Sequence, residues 1–257
     1  MTKNEHIIGI VGGVGPYAGL DLTQKIFNET IAGSDQEHLP VALFSIPHKI
    51  ADRSEFLMGK TNINPAYAVH EIILKLEQAG ANVIGIPCNT MHAPEIFNTI
   101  QSELKTSKSK VQLINMITEV IQFIKNHYSE IHKIGILSTT GTYQSKVYEN
   151  SLINAGLEPV VANPDLQERI HQAIYHPEYG IKTVSNPVTK KAKNTLVNGI
   201  RSLKSKGAEG IILGCTEIPY ALPYKKISNL PLLDATQILA RALIRNTYPE
   251  KLLDYIV

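Results

Sequence analysis

A repeated strand-and-glycine pattern constrains the fold of this chain more than any other feature. The segment HIIGIVGGVG (His6–Gly15) matches HKIGILSTTG (His132–Gly141), and in both segments two glycines stand six positions apart. A second pair, GANVIGIPCNTMH (Gly80–His92) and GAEGIILGCTEIP (Gly207–Pro219), follows in the same order at nearly the same offset, 127 positions against 126. Ordered matches at a near-constant offset indicate two similar halves within one chain.

Short apolar runs alternate with longer amphipathic stretches, which is typical of α/β proteins. Strands are predicted at residues 7–13, 41–47, 83–87 and 111–115, and helices at residues 17–31, 67–77 and 95–104. This alternation predicts βαβ units and parallel sheet. We therefore expect two similar, pseudo-symmetric α/β domains, each a mostly parallel sheet flanked by helices, with the active site in the cleft between them.

A third correspondence sets the expected domain limits. Asn115 and Asp234 each follow an apolar run and lie 119 positions apart. Together with the family resemblance described below, this correspondence places the crossovers near Met116 and Pro231. It predicts a first domain of residues 1–115 plus 232–257 and a second domain of residues 116–231. The C-terminal helix would then return to the first domain.

Composition argues against several classes of partner. The 257 residues carry a net charge of only +2, and the lysine runs KTSKSK and KKAK are short, so we expect no nucleic-acid partner. No apolar run reaches the roughly 18 residues that span a bilayer, and no small-residue cleavage site follows the N-terminal apolar stretch. Two cysteines are too few for a disulfide framework. We expect a cytoplasmic protein with reduced thiols and no membrane partner.

Familiar cofactor motifs fit the sequence poorly. The glycine-rich turn GGVGPYAG (Gly12–Gly19) has the wrong spacing for a dinucleotide, contains Pro16, and is followed by no acidic residue at the end of the next strand. Its backbone amides can still hold a carboxylate. Cys88 and His92 lie four residues apart, but no cluster near Cys215 completes a metal site. We expect no metal and no cofactor.

The only two cysteines, Cys88 and Cys215, each lie eight residues after a glycine, just past a predicted strand. Ligands of α/β proteins bind at the carboxyl ends of strands, so two halves that face each other would bring both thiols to one cleft. Asn-Thr follows the first cysteine and Thr-Glu the second, and such polar groups suit a binding site better than a core. The alternatives are two cysteines packed as small hydrophobic residues, or a disulfide between them.

A thiol on each side of a cleft suits the deprotonation of a carbon acid from one face and its reprotonation from the other. One sulfur must then be thiolate while the other is thiol. We expect helix N-terminal amides in the turn after each cysteine to lower the pKa of the thiolate.

The motifs PCNTMH and GCTEIP, together with GIVGGVGP and LSTTGTY, resemble the aspartate/glutamate racemase family over about Ile7 to Ala240. The resemblance is greatest to cofactor-independent aspartate racemases. It implies a pyridoxal-independent mechanism with Cys88 and Cys215 as bases on opposite faces of the amino-acid Cα, and a homodimer.

The resemblance also implies which residues bind the substrate: Val14, Arg53, Asn89, Thr90, Lys182 and Thr216. Arg53 lies in IADRS, which is similar to the family's I-P-D-R segment with Ala51 in place of proline, and Val14 stands where methionine is frequent. Glutamate racemases typically carry Asp-Ser where this chain has Gly13-Val14, which favours aspartate. The role of Glu217 stays open, and His48 and His92 are interpreted as structural.

The sequence thus predicts an isomerase that interconverts L- and D-aspartate. Glutamate or other amino acids are alternative substrates. Two further alternatives remain at this point: a related two-cysteine isomerase or decarboxylase, and a two-domain amino-acid-binding protein without catalysis.

Overall fold

The first of two sheets is built from four parallel strands. The computed structural model describes residues 6–255. Its first sheet contains β1 (Ile7–Gly12), β2 (Val41–Ser45), β3 (Ala81–Gly85) and β4 (Gln112–Leu113). The strand order is β2-β1-β3-β4, and each neighbouring pair runs parallel.

The second sheet repeats this order and adds one strand. It contains β5 (Lys133–Ser138), β6 (Glu158–Val160), β7 (Gly210–Gly214), β8 (Lys226–Ile227) and β9 (Leu230–Asp234). The order is β6-β5-β7-β9-β8, parallel except for the β8–β9 pair. Strands β5, β6, β7 and β9 thus take the places of β1, β2, β3 and β4. The prediction of two similar α/β units with mainly parallel sheets is confirmed.

Helices connect the strands and flank both sheets. They are α1 (Pro16–Asn28), α2 (Arg53–Leu57), α3 (Ala66–Gln78), α4 (Pro94–Thr106), α5 (Met116–His127), α6 (Thr140–Gln144), α7 (Val147–Asn154), α8 (Pro164–Tyr175), α9 (Lys190–Ser205), α10 (Ile218–Ala221) and α11 (Ala235–Thr247). None of the helices in residues 6–255 combines the length and apolar composition needed to cross a bilayer. We call β1–β4 with the helices between them the first half, and β5–β9 with theirs the second half.

Equivalent glycines have the same packing role in the two sheets. A Cβ on Gly9 would lie 2.3 Å from Ile84 Cδ1 on the neighbouring strand, and a Cβ on Gly135 would lie 2.5 Å from Ile211 Cδ1. No side chain fits at such distances, so glycine lets the isoleucine of β3 or β7 pack onto the strand beside it. The glycine repeat in the sequence is therefore a repeat of strand packing.

The third correspondence in the sequence is a pair of equivalent helix caps. The side chain of Asn115 accepts two backbone N–H bonds at the start of α5, and Asp234 does the same for α11. The two helices pack against each other, and α11 also contacts α1 and β3. The predicted domain limits themselves stay a prediction, and their outermost residues, 1–5 and 256–257, lie outside the described residues.

Element boundaries differ from the predicted ones where proline or a cap intervenes. The strand expected over residues 111–115 is only two residues long, because Asn115 already caps α5. The strand expected to end at Pro87 ends at Gly85, since proline cannot donate to the strand ladder. Helix α1 begins at Pro16, which suits the first helical turn, and ends at Asn28 rather than at residue 31.

One cluster of buried apolar side chains joins the two halves. It combines Ile8 of β1 and Ile134 of β5 with Ile117 of α5 and Leu239 of α11. Each half also has a separate cluster on the far side of its sheet. The shared cluster fixes the halves against each other, so that the carboxyl ends of their strands can border one cleft.

Candidate active site

The loops after four central strands border a single cavity. Val14 follows β1, Cys88 follows β3, Thr139 follows β5 and Cys215 follows β7, and all four line the same small cavity, of about 10 Å³. This is the position at which α/β proteins bind ligands. The other lining residues are Arg53, Asn89, Thr90, Tyr175, Lys182, Gly214, Thr216 and Glu217.

All eight site residues proposed from the sequence lie in this lining. They are Val14, Arg53, Cys88, Asn89, Thr90, Lys182, Cys215 and Thr216. The first five belong to the first half and the last three to the second half. Their functional roles stay predictions. Both cysteines are free and buried, so they form no disulfide with each other.

Cys88 lies beside a buried cation. It precedes a single 3₁₀ turn, and its neighbour Arg53 begins α2, where the side chain of Asp52 caps the helix. Arg53 lines the same cavity as Cys88, its positive charge attracts the sulfur, and its guanidinium donates from Nη2 to the carbonyl of Val14 at 3.3 Å. Burial lowers the pKa of Arg53, but the sulfur, Tyr175 and Asp52 more than offset this, so the net pKa is raised and the charge is retained.

Cys215 lies beside a buried carboxylate instead. Its thiol donates to Glu217 Oε2 at 3.0 Å, the hydroxyl of Thr216 lies 3.1 Å from the same oxygen, and Lys182 forms an ion pair with Oε1. Burial raises the pKa of Cys215 well above its ordinary value, and the charge of Glu217 raises it further while Lys182 opposes the rise. The net effect of these neighbours favours the protonated thiol of Cys215.

Glu217 remains ionised although it is buried. Burial raises its pKa, but the positive charge of Lys182 and hydrogen bonds from Cys215, Lys182 and Thr216 outweigh this and lower the net pKa. Lys182 likewise keeps its proton: burial lowers its pKa, yet Glu217 more than compensates. The pair is thus a carboxylate and an ammonium in direct contact.

The backbone N–H of Glu217, in the turn after Cys215, lowers the pKa of Cys215 as expected, but burial and the charge of Glu217 outweigh it, so the net pKa is raised. The helix that follows Cys215, α10, is only four residues long and begins three residues later, at Ile218. A carboxylate in hydrogen-bonding contact acts on the sulfur more strongly than so short a helix can. The turn after Cys88 is likewise only a 3₁₀ turn.

Two buried donors in the cavity lining lack a protein partner. Within residues 6–255, neither Nε of Arg53 nor Nδ2 of Asn89 makes a hydrogen bond. Buried polar groups are nearly always paired, so unpaired donors in a cavity wall indicate acceptor atoms on a ligand. Both donors suit the oxygens of a carboxylate.

Sequence reasoning missed several residues that support this site. Thr142 of α6 lies 2.9 Å from Thr90, oxygen to oxygen, and the hydroxyl of Tyr148 in α7 lies 2.5 Å from Asn89 Oδ1. The repeat could have pointed to Thr139 and Thr142, because LSTTGTY matches the first glycine turn. Tyr148 belongs to no motif that would have revealed it.

His92 is fully buried, and it does not line the cavity. Burial lowers its pKa to about 4, its ring stacks on Phe97, and Nδ1 lies 2.9 Å from the carbonyl oxygen of Cys88. A neutral imidazole in this place holds the backbone of the turn. In the described part of the chain, no group of three His, Cys, Asp or Glu residues is placed to hold a metal ion.

Comparison with known proteins gives consistent matches along the chain. A family model described as Asp/Glu/Hydantoin racemase matches residues 11–243. The broad specificity amino-acid racemase RacX of Bacillus subtilis is 27% identical over 252 residues, which cover 94% of this chain and 98% of that protein.

Solved structures give the same result. The aspartate racemase of Picrophilus torridus superimposes with a TM-score of 0.78 at 29% identity, covering 97% of this chain and 96% of that one. An aspartate racemase homologue from Pyrococcus horikoshii gives a TM-score of 0.71 at 26% identity, covering 95% and 99%. The similarity therefore extends over the whole two-sheet architecture.

Proposed function

The chain belongs to the Asp/Glu/hydantoin racemase family, and from this premise we propose that it interconverts L- and D-aspartate by a two-base proton transfer without pyridoxal phosphate. One observation supports the proposal most: both cysteines line one cavity, with a cation beside one sulfur and a carboxylate beside the other. A two-base mechanism needs one base and one acid at the start of each turnover. The different charged neighbours are the basis on which we assign Cys88 as the base and Cys215 as the acid.

The proposed reaction moves one proton onto the protein and another off it. Cys88, next to the guanidinium of Arg53, takes the Cα proton from one face of the substrate. Cys215 gives its own proton to the opposite face, which inverts the carbon. Cys88 then carries a proton and Cys215 carries none, so the next turnover runs in the reverse direction or follows proton exchange with water.

The carboxylates of the substrate are assigned to different donors. Asn89, Thr90 and Thr216 would hold the α-carboxylate, into which charge flows as the Cα proton leaves, so donors placed there in advance lower the barrier. The side-chain carboxylate of aspartate would pair with Arg53, whose planar guanidinium suits two carboxylate oxygens, and with Lys182. Lys182 would then be shared between the substrate and Glu217.

We assign Glu217 the task of holding the proton of Cys215. Its Oε2 accepts from the thiol, and its charge is balanced by Lys182. A carboxylate in this position keeps Cys215 protonated until the carbanion forms at the substrate Cα and takes the proton. This assigns a role to a residue that the sequence left open.

A broader substrate range is the second candidate. The relative from Bacillus subtilis carries a broad-specificity name and matches almost the full length of both chains. A panel of L-amino acids that includes aspartate and glutamate separates the two candidates. We also propose that the protein is cytoplasmic and that it forms a homodimer. Light scattering on the purified chain tests the dimer.

The function is tested by incubating the protein with L-aspartate and measuring the D-aspartate formed by chiral chromatography. Replacing either Cys88 or Cys215 by Ala should lower the rate by about 10²–10⁴-fold, because each removes one of the two proton-transfer groups. A binding protein without catalysis would bind the amino acid in all three forms and invert it in none. Absence of inversion for every amino acid tried, with folded protein, contradicts the proposal.

A further inference from the structure

We propose that Tyr148 is a positioning residue that fixes the side-chain amide of Asn89, so that Nδ2 faces the catalytic cavity and donates to a carboxylate oxygen of the bound ligand. Tyr148 does not line the cavity itself and would act only through Asn89. The proposal depends on the proposed function for the identity of the ligand, but its geometry stands on the ligand-free protein.

Tyr148 contacts residues next to both cysteines. It lies in α7 of the second half, with a relative exposure of 1%. Its ring lies under β7, where a Cβ on Gly214 would be 3.4 Å from Tyr148 Cε2. Its hydroxyl reaches Asn89 Oδ1 in the first half at 2.5 Å. One side chain thus connects the residue before Cys215 to the residue after Cys88.

The direction of the hydrogen bond follows from where the phenol proton can go. Burial raises the pKa of Tyr148 far above its ordinary value, so the hydroxyl keeps its proton. A buried O–H must donate to an acceptor, and within residues 6–255 the hydroxyl has a single hydrogen-bond partner, the amide of Asn89. The amide must therefore present Oδ1 to Tyr148.

Because the amide group is planar, fixing Oδ1 also fixes Nδ2. That nitrogen is buried, has no hydrogen-bond partner in the described part of the chain, and belongs to a residue of the cavity lining. A flipped amide would turn an oxygen toward a ligand carboxylate and leave the phenol proton facing an NH₂ group. Tyr148 excludes that orientation, so the site presents a donor and selects an anionic group.

A second contact of the same kind accompanies it. The hydroxyl of Thr142 holds the hydroxyl of Thr90, the next residue after Asn89. Both side chains that follow Cys88 are thus oriented by the second half. The binding groups of one half are set only when the two halves are in contact.

A double-mutant cycle tests the proposal. In the wild-type background, Tyr148→Phe should lower kcat/KM by about tenfold, the cost of an unsatisfied buried acceptor and a misoriented donor. In the Asn89→Ala background the same change should cost less than about twofold, because the group through which Tyr148 acts is gone. An equal loss in both backgrounds overturns the proposal, since a structural role of Tyr148 does not depend on Asn89.

Tyr128→Phe is the matched control. Tyr128 is also a buried tyrosine, and its hydroxyl also makes one hydrogen bond, to Tyr255, outside the cavity lining. It should leave kcat/KM unchanged. Asn89→Asp tests the proposal independently, in case Tyr148→Phe does not fold. The Asp side chain still offers an oxygen to the hydroxyl of Tyr148, but it has no N–H to donate to the ligand. It should lose at least as much activity as Asn89→Ala, and retention of wild-type activity contradicts the proposal.

A measurement without substrate separates this proposal from the proposed function. In protein labelled with ¹⁵N-asparagine, the side-chain NH₂ signals of Asn89 can be assigned through their loss in Asn89→Ala. They should shift in Tyr148→Phe and stay in place in Tyr128→Phe. If the wild-type protein inverts no amino acid, the proposed function fails, and the NMR result alone tests the positioning role of Tyr148. Unchanged Asn89 signals in Tyr148→Phe would refute that role.

Discussion

Two thiols of the same chemistry have neighbours of opposite charge, Arg53 beside Cys88 and Glu217 beside Cys215. The carboxylate of Glu217 accepts the proton of the Cys215 thiol and raises the pKa of that cysteine. Burial alone would treat the two sulfurs alike, since each has a relative exposure of 6%. The charged neighbours therefore distinguish the two sulfurs, as the proposed two-base reaction requires.

Glu217→Gln should lower the pKa of Cys215. The substitution removes the negative charge that raises this pKa and frees Lys182, whose positive charge lowers it. In a Cys88→Ala background, the ultraviolet absorbance of the remaining thiolate against pH should move to lower pH in the variant. An unchanged titration would mean that Glu217 does not control the proton of Cys215.

Lys182→Met should destabilise the fold at neutral pH by about 3–5 kcal/mol, because it leaves the carboxylate of Glu217 buried without its counter-ion. The folded-state pKa of Glu217 is lowered with Lys182 present, so this ion pair stabilises above the ordinary carboxyl pKa and the stabilisation is lost as pH falls. Without Lys182, burial raises the pKa of Glu217, and the penalty should shrink on acidification, when the carboxyl group protonates.

Urea unfolding at neutral and mildly acidic pH measures this penalty. The double variant Lys182→Met/Glu217→Gln is the control, since it buries no unpaired charge and should recover most of the loss. A penalty that is the same at both pH values, or is not relieved in the double variant, contradicts the ion-pair explanation.

Residue types and spacing predicted that the two cysteines lie at one cleft, and the family resemblance named the other candidate side chains, but neither predicted how these side chains interact. Cys88 and Cys215 could be found because their segments repeat, and the cavity does bring them together. The contact between Lys182 and Glu217 could not be found in this way, because 35 positions, which include helix α9 and strand β7, separate the two residues. The contact of Tyr148 was not predicted for the same reason, because its partner Asn89 lies 59 positions away in the other half.

At the scale of elements, the repeat produces equivalent pieces with unequal surroundings. Asn115 and Asp234 both cap a helix after the last parallel strand of their sheet. Among residues 6–255, Asp234 has an additional partner that Asn115 lacks: Lys25 of α1, at 2.7 Å. Lys25 also pairs with Asp21 at 2.6 Å. This partly buried group connects α1 of the first half to the end of β9.

Asp234→Ala should therefore cost more stability than Asn115→Ala. Loss of the Asn115 cap should cost about 1 kcal/mol. Loss of Asp234 removes a cap of the same kind and also leaves Lys25 with one partner fewer, which should add at least about 1 kcal/mol. Urea unfolding of both variants measures the difference, and equal losses would show that the ion pair contributes nothing.

The sequence predicted the four strands and the three longer helices of the first half in order, because each strand there is a short apolar run between turns. It missed the five-residue α2 and also β8, which is two residues long and pairs antiparallel to β9. An element so short has no periodicity to detect, and it forms only because β9 offers an open edge. Short elements of this kind depend on neighbours that the local sequence does not specify.

At the scale of the whole molecule, the two halves meet in direct contact beside the cavity. Gly141 of α6 packs on Ser54 of α2, and a Cβ on Gly141 would lie 2.6 Å from Ser54 Oγ and 2.9 Å from Ser54 Cα. A larger residue has to push the halves apart at this point. The nearby bonds to Asn89 and Thr90 cross the same boundary, so such a displacement would disturb the cavity.

Gly141→Ala should lower kcat/KM by about tenfold or more, because small displacements of catalytic groups are costly. It should also cost about 1–3 kcal/mol of stability through overpacking. Gly33→Ala is the control, since a Cβ there meets only the carboxylate of Glu37, at 3.5 Å. Wild-type activity in Gly141→Ala would show that the catalytic geometry does not depend on this contact.

The central claim, inversion by two cysteines on opposite faces, is tested most directly by early turnover of L-aspartate in D₂O. A two-base reaction delivers a solvent deuteron from Cys215 as Cys88 removes the Cα proton. The first D-aspartate formed should therefore carry deuterium at Cα, while the remaining L-aspartate keeps its protium. Protium retained in the D-aspartate, or deuterium entering the remaining L-aspartate as fast as the product, would contradict the two-base account.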